Sequence, residues 1–186
     1  MTTWHYVDIS LHPDEDMSKG SKLNKAMQVL HSFIKEGGGI ALAFPDQRGG
    51  YIGDVIRLFF NDEMRAKGVH SRIVQHFFFR DYARVSDITF IDNDSCNSYV
   101  SYTRYRIPSK KSDRNNSGLW QRRFDQAQAL PFFYITSASS KQAFMLRIKA
   151  TKLDAGGEGF SPNGYGLGST NNPVILPDIP LERTSL

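Results

Sequence analysis

The sequence predicts an α+β protein, because the hydrophobic patterns of its first half alternate in the order strand, helix, strand, strand, helix, strand. That order is the split βαβ arrangement called ferredoxin-like, βαββαβ, and we assign it to an N-terminal domain over residues 1–95. The second half is looser and predicts a smaller, divergent α/β region with an arginine-rich segment, residues 96–186. At 186 residues the chain is too short for an eight-stranded α/β barrel enzyme.

The elements of the first half follow from local periodicity. Residues 5–11 alternate apolar with polar side chains and predict a strand. Residues 19–36 predict a helix that ends at three glycines, residues 37–39. Residues 39–45 and 54–60 predict two strands, residues 62–79 a single helix, and residues 83–91 a further strand. The face of the first helix that we expect to be buried carries Leu23, Ala26, Met27, Leu30, Phe33 and Ile34.

The second half predicts strands at residues 99–107, 132–136, 143–149 and 172–180, and a short helix at residues 119–130. Six of the 15 glycines lie between residues 156 and 168. Neither a following helix nor a lysine accompanies them, as a phosphate-binding loop would require. We therefore expect them to form a hairpin or bulge loop.

Positive charge is concentrated in one segment of the chain. The net charge is +4, yet residues 104–123 contain seven basic residues and one acid, Asp113, so the rest of the chain is slightly acidic. Such a block is typical of contact with nucleic-acid phosphates, although a solvated charged loop has the same composition. The basic residues are Arg104, Arg106, Lys110, Lys111, Arg114, Arg122 and Arg123.

Several classes of protein are excluded by composition. The longest apolar run, residues 40–44, is far shorter than the ~20 residues of a membrane-spanning helix, and residues 1–10 lack the pattern of a secretory signal. Cys96 is the only cysteine, which rules out an internal disulfide and suits a reducing cytoplasm. No zinc, Walker or dinucleotide-binding motif is present, and we expect neither a metal nor a cofactor.

Two groups of residues could carry chemistry. His31 lies at the border of the apolar face of the first helix, where an imidazole can face a cleft or be a partly buried structural residue. The segment from Thr136 to Gln142 supplies the hydroxyls of Ser137, Ser139 and Ser140. Such groups orient a hydroxyl or a phosphate, and they are equally common in a hairpin turn.

Four separated segments together resemble one family. They are HYVDISLHPD (5–14) with VLHSFI (29–34) and GIALAFPD (39–46), then YVSYTRYR (99–106), LPFFYITSASSKQAFMLRI (130–148) and GFSPNGYGLG (159–168). In this order they are similar to the CRISPR-associated, repeat-specific endoribonucleases of type I-F systems, the Cas-six or Csy-four family.

The resemblance implies roles for individual residues. His31, Ser137 and Tyr165 match the active-site histidine, serine and tyrosine of the family. Further positions match residues that contact RNA, by hydrogen bonding or, for the phenylalanine, by stacking: Arg104, Arg106, Ser139, Ser140, Gln142 and Phe144. The family has a long arginine helix, whereas the basic block here is interrupted at residues 115–118. Because the major groove of A-form RNA is too deep and narrow for side chains, we expect the block to contact mainly phosphates and the helix end.

The resemblance also implies an activity. The protein would bind the CRISPR repeat stem-loop and cleave precursor crRNA by 2′-hydroxyl attack without a metal. It would then stay on the crRNA hairpin as a subunit of the type I-F surveillance (Cascade) complex, in the cytoplasm and away from membranes. Two alternatives stay open: an RNA-hairpin-binding structural subunit without catalysis, and a DNA-binding structural subunit.

Overall fold

The computed structural model describes residues 3–13, 15–92, 95–107, 117–136, 142–157 and 159–181. These residues form two antiparallel sheets with helices packed against them, so the predicted α+β class is confirmed. None of the helices in these ranges combines the length and the hydrophobicity that a bilayer crossing requires.

The first sheet is built from the N-terminal half. Its elements are β1 (Thr3–Leu11), α1 (Lys19–Gly37), β2 (Ala41–Ala43), β3 (Val55–Phe60), α2 (Glu63–Gln75), α3 (Phe77–Tyr82), β4 (Ala83–Val85) and β5 (Thr89–Asp92). The strand order is β2-β3-β1-β4, and β5 pairs with β1 beyond the end of β4. Alternate side chains of β1, including Val7 and Ile9, are fully buried, whereas Asp8 between them lies on the other face of the sheet.

Two elements that were predicted as continuous are interrupted, and those predictions were wrong. The helix expected over residues 62–79 divides at His76, whose backbone is extended at φ −74° and ψ 123°. The imidazole Nδ1 of His76 accepts a hydrogen bond from the backbone N–H of Phe78 and so caps the second helix (3.2 Å). The strand expected over residues 83–91 is interrupted at Ser86, whose hydroxyl accepts from the backbone N–H of Asp8 (2.9 Å).

The second sheet is built from the C-terminal half. Its elements are β6 (Tyr99–Tyr105), α4 (Ser117–Gln128), β7 (Phe132–Thr136), β8 (Ala143–Leu153) and β9 (Ile175–Pro177). The strand order is β7-β8-β6-β9, with all pairs antiparallel. β8 extends four residues beyond its predicted end because it pairs with β6 along the full length of that strand.

The two sheets share one continuous hydrophobic core. The ring of Phe44, just after β2, packs edge-on against Tyr102 of β6 at 5.5 Å between centroids. The Tyr102 hydroxyl donates to the Phe44 carbonyl (3.1 Å), which gives this buried hydroxyl a partner. Helix α1 packs against β7, and its partly exposed side therefore lies beside the second sheet.

Candidate active site

His31 is positioned by the helix that the sequence predicted. Ser18 caps α1 by accepting from the backbone N–H of Ser21 (3.2 Å), and Gly38, at φ 60°, ends the helix with its N–H bonded to the Ile34 carbonyl. His31 itself is half-buried, at the edge of the apolar face. The helix is thus anchored by its core residues while the imidazole borders the surface.

Tyr165 is held over His31 by a tight turn in the glycine-rich segment. The Gly166 N–H donates to the Asn163 carbonyl (2.8 Å), and the Asn163 side chain accepts from the Tyr165 N–H (2.8 Å). The Gly166 carbonyl then accepts from the Leu42 N–H of β2 (2.7 Å). The predicted hairpin or bulge is in fact a turn, and it is bonded to the first sheet.

The same segment is bonded to the second sheet. The Gly168 N–H donates to the Tyr102 carbonyl of β6 (2.9 Å), and Gly168 forms a parallel bridge with Thr103. The glycine-rich segment therefore spans the two sheets. As a result it brings a C-terminal tyrosine to the N-terminal helix.

The rings of His31 and Tyr165 are stacked. Their centroids are 4.9 Å apart and their planes differ by 11°. Phe144 of β8 packs edge-on against Tyr165, at 6.0 Å between ring centroids. The guanidinium carbon of Arg104 lies 5.6 Å from the centre of the Tyr165 ring and 5.8 Å from that of Phe144. Arg104 thus brings a cation to the rings that pack around the imidazole.

The surroundings of His31 favour the neutral form of its imidazole. Burial lowers its pKa below the ordinary value of 6.5, and the nearby ammonium of Lys35 lowers it further, while a hydrogen bond with the Gly164 backbone opposes them. Its Nδ1 is buried and has no hydrogen-bond partner among the described residues. A neutral ring at pH 7 is able to accept a proton.

A cationic cleft of about 590 Å³ opens beside Arg104. Four of its lining side chains are positive, Arg104, Arg106, Arg123 and Lys149, and no carboxylate is among the described residues that line it. A cleft with one sign of charge concentrates anions. Its other lining residues are Thr103, Tyr105, Gln126, Asn163, Gly168, Ser169 and Thr170.

Burial and a neighbouring cation affect the pKa of Arg104. Burial lowers the pKa of the Arg104 guanidinium from its ordinary value, and the neighbouring Arg106 lowers it further. The group stays protonated at neutral pH all the same. A phosphate placed between these two arginines would therefore relieve their mutual repulsion.

The sequence matches the family model described as CRISPR-associated protein (Cas_Csy4) over residues 6–177. The chain belongs to this family. It is therefore a CRISPR-associated RNA-processing protein. No curated protein is significantly similar to the chain.

The structure of this Csy4-family chain brings four of the predicted site residues together: His31, Tyr165, Phe144 and Arg104. Arg106 and Arg123 line the adjoining cleft, whereas Arg122, on the same helix as Arg123, is exposed and does not line it. Gln142 is exposed just before β8. The remaining predicted residues lie outside the described residues: Lys110, Lys111, Arg114, Ser137, Ser139 and Ser140.

Helix α4 presents Arg123 to the cleft of this Csy4-family protein because α4 is fastened to the sheet. The Tyr105 hydroxyl hydrogen-bonds to Gln126 (2.9 Å), and Arg147 donates to the Ala127 carbonyl. These contacts place Arg123 beside Arg104 and Arg106.

Sequence reasoning missed part of the cleft. Lys149 was not predicted to be a site residue. Side chains alternate between the two faces of β8, and this alternation could have indicated the face on which Lys149 lies. Asn163, Ser169 and Thr170 had no such signal, because the bond between Gly168 and β6 that brings their segment to the cleft joins residues distant in the sequence.

Proposed function

We propose that this protein is an endoribonuclease that binds the CRISPR repeat stem-loop and cleaves precursor crRNA beside it. The observation that carries the proposal is the stacked His31–Tyr165 pair next to a cleft lined by four cations. The cleft suits phosphates, and the neutral imidazole suits proton transfer from a ribose hydroxyl.

The proposed reaction uses the nucleophile that RNA itself carries. The 2′-oxygen forms a bond to the adjacent phosphorus while the bond to the 5′-oxygen breaks. The products are a 2′,3′-cyclic phosphate and a 5′-hydroxyl, and overall one proton moves from the 2′-oxygen to the 5′-oxygen. His31 accepts the 2′-hydroxyl proton, and such proton transfer contributes typically ~10² to 10⁴-fold in rate.

The other site residues stabilise the reacting geometry. Tyr165 fixes the plane of the imidazole by stacking, and Arg104 places positive charge where the phosphorane develops negative charge. Ser137, which follows Thr136 directly in the sequence, is proposed to orient the attacking hydroxyl. Preorganisation of this kind supplies the part of the rate that proton transfer does not.

The proposal includes the molecular setting. The strand order β2-β3-β1-β4 supports a ferredoxin-like domain over residues 1–95, and the second sheet with α4 supports an RNA-hairpin-binding domain over residues 96–186. With many phosphate contacts the cleaved hairpin dissociates slowly. The protein then remains on the crRNA in the cytoplasm as a subunit of a type I-F Cascade complex.

One experiment tests reaction class and substrate together. The purified protein is incubated in EDTA with the repeat RNA of its own CRISPR array, and with the same RNA carrying one 2′-deoxy nucleotide at the cleaved bond. We expect cleavage of the ribose RNA only, with unchanged binding of the deoxy RNA. Cleavage of both RNAs would contradict 2′-hydroxyl attack.

The non-catalytic alternative is separated by His31→Ala. We expect this variant to lose at least about 100-fold in cleavage rate, the lower bound for a lost proton-transfer group, while it still binds the hairpin. Wild-type protein that binds the hairpin but leaves it intact would instead identify a structural subunit. Equal affinity for a DNA hairpin would favour the DNA-binding alternative.

A further inference from the structure

A second groove, of about 290 Å³, lies between α1 and β7. It differs from the cationic cleft in carrying a single positive charge, that of Lys25. Both walls are polar and both are parts of regular elements. Its lining residues are Ser21, Asn24, Lys25 and Gln28 of α1, and Tyr134 and Thr136 of β7.

The groove begins beside the candidate active site. Gln28 precedes His31 by three residues on the same helix, so the two side chains are neighbours on one helical face, about 4.5 Å apart along the axis. The cationic cleft, by contrast, adjoins the Tyr165 side of His31 through Arg104. The groove therefore lies along the helix that carries His31, and the cationic cleft lies beyond Tyr165, so a strand that is cut at His31 can reach both regions.

The groove presents an aromatic surface. Tyr134 is 40% exposed and Phe132, two residues earlier on the same face of β7, is 41% exposed. Their rings meet edge-to-face at 5.6 Å and lie outside the hydrophobic core. Exposed aromatic side chains on antiparallel strands are surfaces on which unpaired bases stack.

Lys25 adds a charge suited to a backbone phosphate. Its side chain is exposed and makes no ion pair with any described residue. One cation together with aromatic rings fits a single strand, whereas the four cations of the cleft fit the denser phosphates of a duplex. The charges and rings of the two regions thus suit the cleft to the paired part of the RNA and the groove to the unpaired part.

A protein strand does not fit this place. β7 is the edge of its sheet, where a partner strand would add by backbone hydrogen bonds. The Tyr134 N–H is already taken, because it donates to the Asn24 side chain of α1 (2.8 Å). A strand that added to this edge would have to displace Asn24 from the Tyr134 N–H, so we take the side chains of the groove, and not the backbone, as the binding surface.

We infer that the groove between α1 and β7 binds the single-stranded RNA that extends from the hairpin beyond the cleaved bond. The inference rests on the proposed function. The first flanking base stacks on Tyr134, and the phosphate on the 3′ side of that nucleotide contacts Lys25. Since cleavage severs this segment from the hairpin, the contacts hold the precursor and are lost with the departing product.

The test compares affinities of uncleavable RNAs, each with a 2′-deoxy nucleotide at the cleaved bond. One RNA ends at that bond, and the others extend by one, three or six nucleotides. For the wild-type protein we expect the three-nucleotide flank to raise affinity about tenfold, as one stacked base does, with little further gain at six. A 2-aminopurine in the first flanking position reports stacking directly through quenching of its fluorescence.

Substitutions at two positions locate the effect. Tyr134→Ala removes the gain and the quenching, whereas Tyr134→Phe keeps both because the ring is retained. Lys25→Ala lowers the gain and reduces the slope of log affinity against log salt by about 0.7, the value for one single-strand contact. Phe90→Ala, which removes a 74% exposed aromatic residue from the first sheet, is the matched control and leaves the gain unchanged.

The outcomes separate this inference from the proposed function. If the flank adds no affinity, or if Tyr134→Ala keeps the gain and the quenching, the inference is wrong while hairpin binding and cleavage stand. If the wild-type protein does not bind the hairpin at all, the proposed function fails and the groove assignment fails with it.

Discussion

Gly166 lies so close to Leu42 that a side chain at position 166 would have no room. A Cβ added to Gly166 would lie 2.8 Å from the Leu42 side chain, and the residue has φ 72°, a backbone region that side chains disfavour. The preceding residue is Tyr165, whose ring stacks on that of His31. The close approach of the glycine to β2 therefore fixes the position of a candidate catalytic cluster.

Gly166→Ala is expected to displace this turn. Positive φ and the steric contact together cost about 1 to 3 kcal/mol, and relief of the strain moves Tyr165 off the imidazole. We predict a cleavage rate at least about tenfold lower, because small misplacements of reacting groups are costly. Single-turnover kinetics and thermal unfolding measure the two effects.

A control for that variant lies in the same turn. Gly164→Ala adds the same methyl group where nothing lies within 4 Å and φ is not positive. It should retain the wild-type rate and stability. Loss of activity in both variants alike would mean that the turn tolerates no side chain, and the argument from Leu42 would fail.

The pH dependence of cleavage should report the burial of His31. With a neutral imidazole as proton acceptor, the rate falls as the pH drops through the pKa of His31, which burial and Lys35 hold below 6.5. Tyr165→Ala exposes the ring, and Lys35→Gln removes a nearby charge. Each change raises the pKa, so the acidic limb of the rate profile moves to higher pH.

NMR titration of the histidine ring protons checks the same shift without turnover. Tyr165→Phe keeps the stacked ring and should leave both the titration and the profile near those of the wild type. If the pKa of His31 rises in Tyr165→Ala while the acidic limb of the pH–rate profile stays in place, another group controls the rate.

Features that follow from the spacing of apolar residues close in the sequence could be predicted, whereas features that depend on a particular side-chain hydrogen bond or on contacts between distant segments could not be derived from that spacing. Helix α1 and the border position of His31 follow from the spacing of apolar residues, which is local. The break at His76 does not, because it depends on the imidazole replacing a backbone acceptor for Phe78. The stack of Tyr165 on His31 depends on contacts between distant segments, so only the family resemblance could predict it.

The cations of the cleft should differ in how they affect binding and cleavage. Arg123→Ala and Lys149→Ala each remove a lining charge that does not contact the His31–Tyr165 cluster. Each should reduce the slope of log affinity against log salt by about 0.7 to 0.9 and leave the rate of the bound complex unchanged.

Arg104→Ala should lower both affinity and rate, since its guanidinium lies beside Tyr165. Lys67→Ala serves as the control because Lys67 pairs with Glu63 on α2, outside the residues that line the cleft. Fluorescence anisotropy at several salt concentrations, with single-turnover rates at saturation, distinguishes the two classes. Unchanged slopes in Arg123→Ala and Lys149→Ala would exclude phosphate contacts in the cleft.

The C-terminal segment is fastened to the first sheet by a hydrogen bond from a buried arginine, which also forms an ion pair within that sheet. Arg57 of β3 donates from Nε and Nη2 to both carboxylate oxygens of Asp8 on β1 (2.6 and 2.7 Å), and from Nη1 to the Ile179 carbonyl (2.6 Å).

Asp8→Asn leaves a guanidinium that is only 3% exposed without its counter-charge. We predict a loss of about 3 kcal/mol in the free energy of unfolding, measured with urea. The matched control is Glu36→Gln, which breaks the exposed pair with Arg72 and should leave the urea midpoint unchanged, since such pairs are screened by solvent. If the two variants unfold at the same urea concentration, the pair does not stabilise the folded protein.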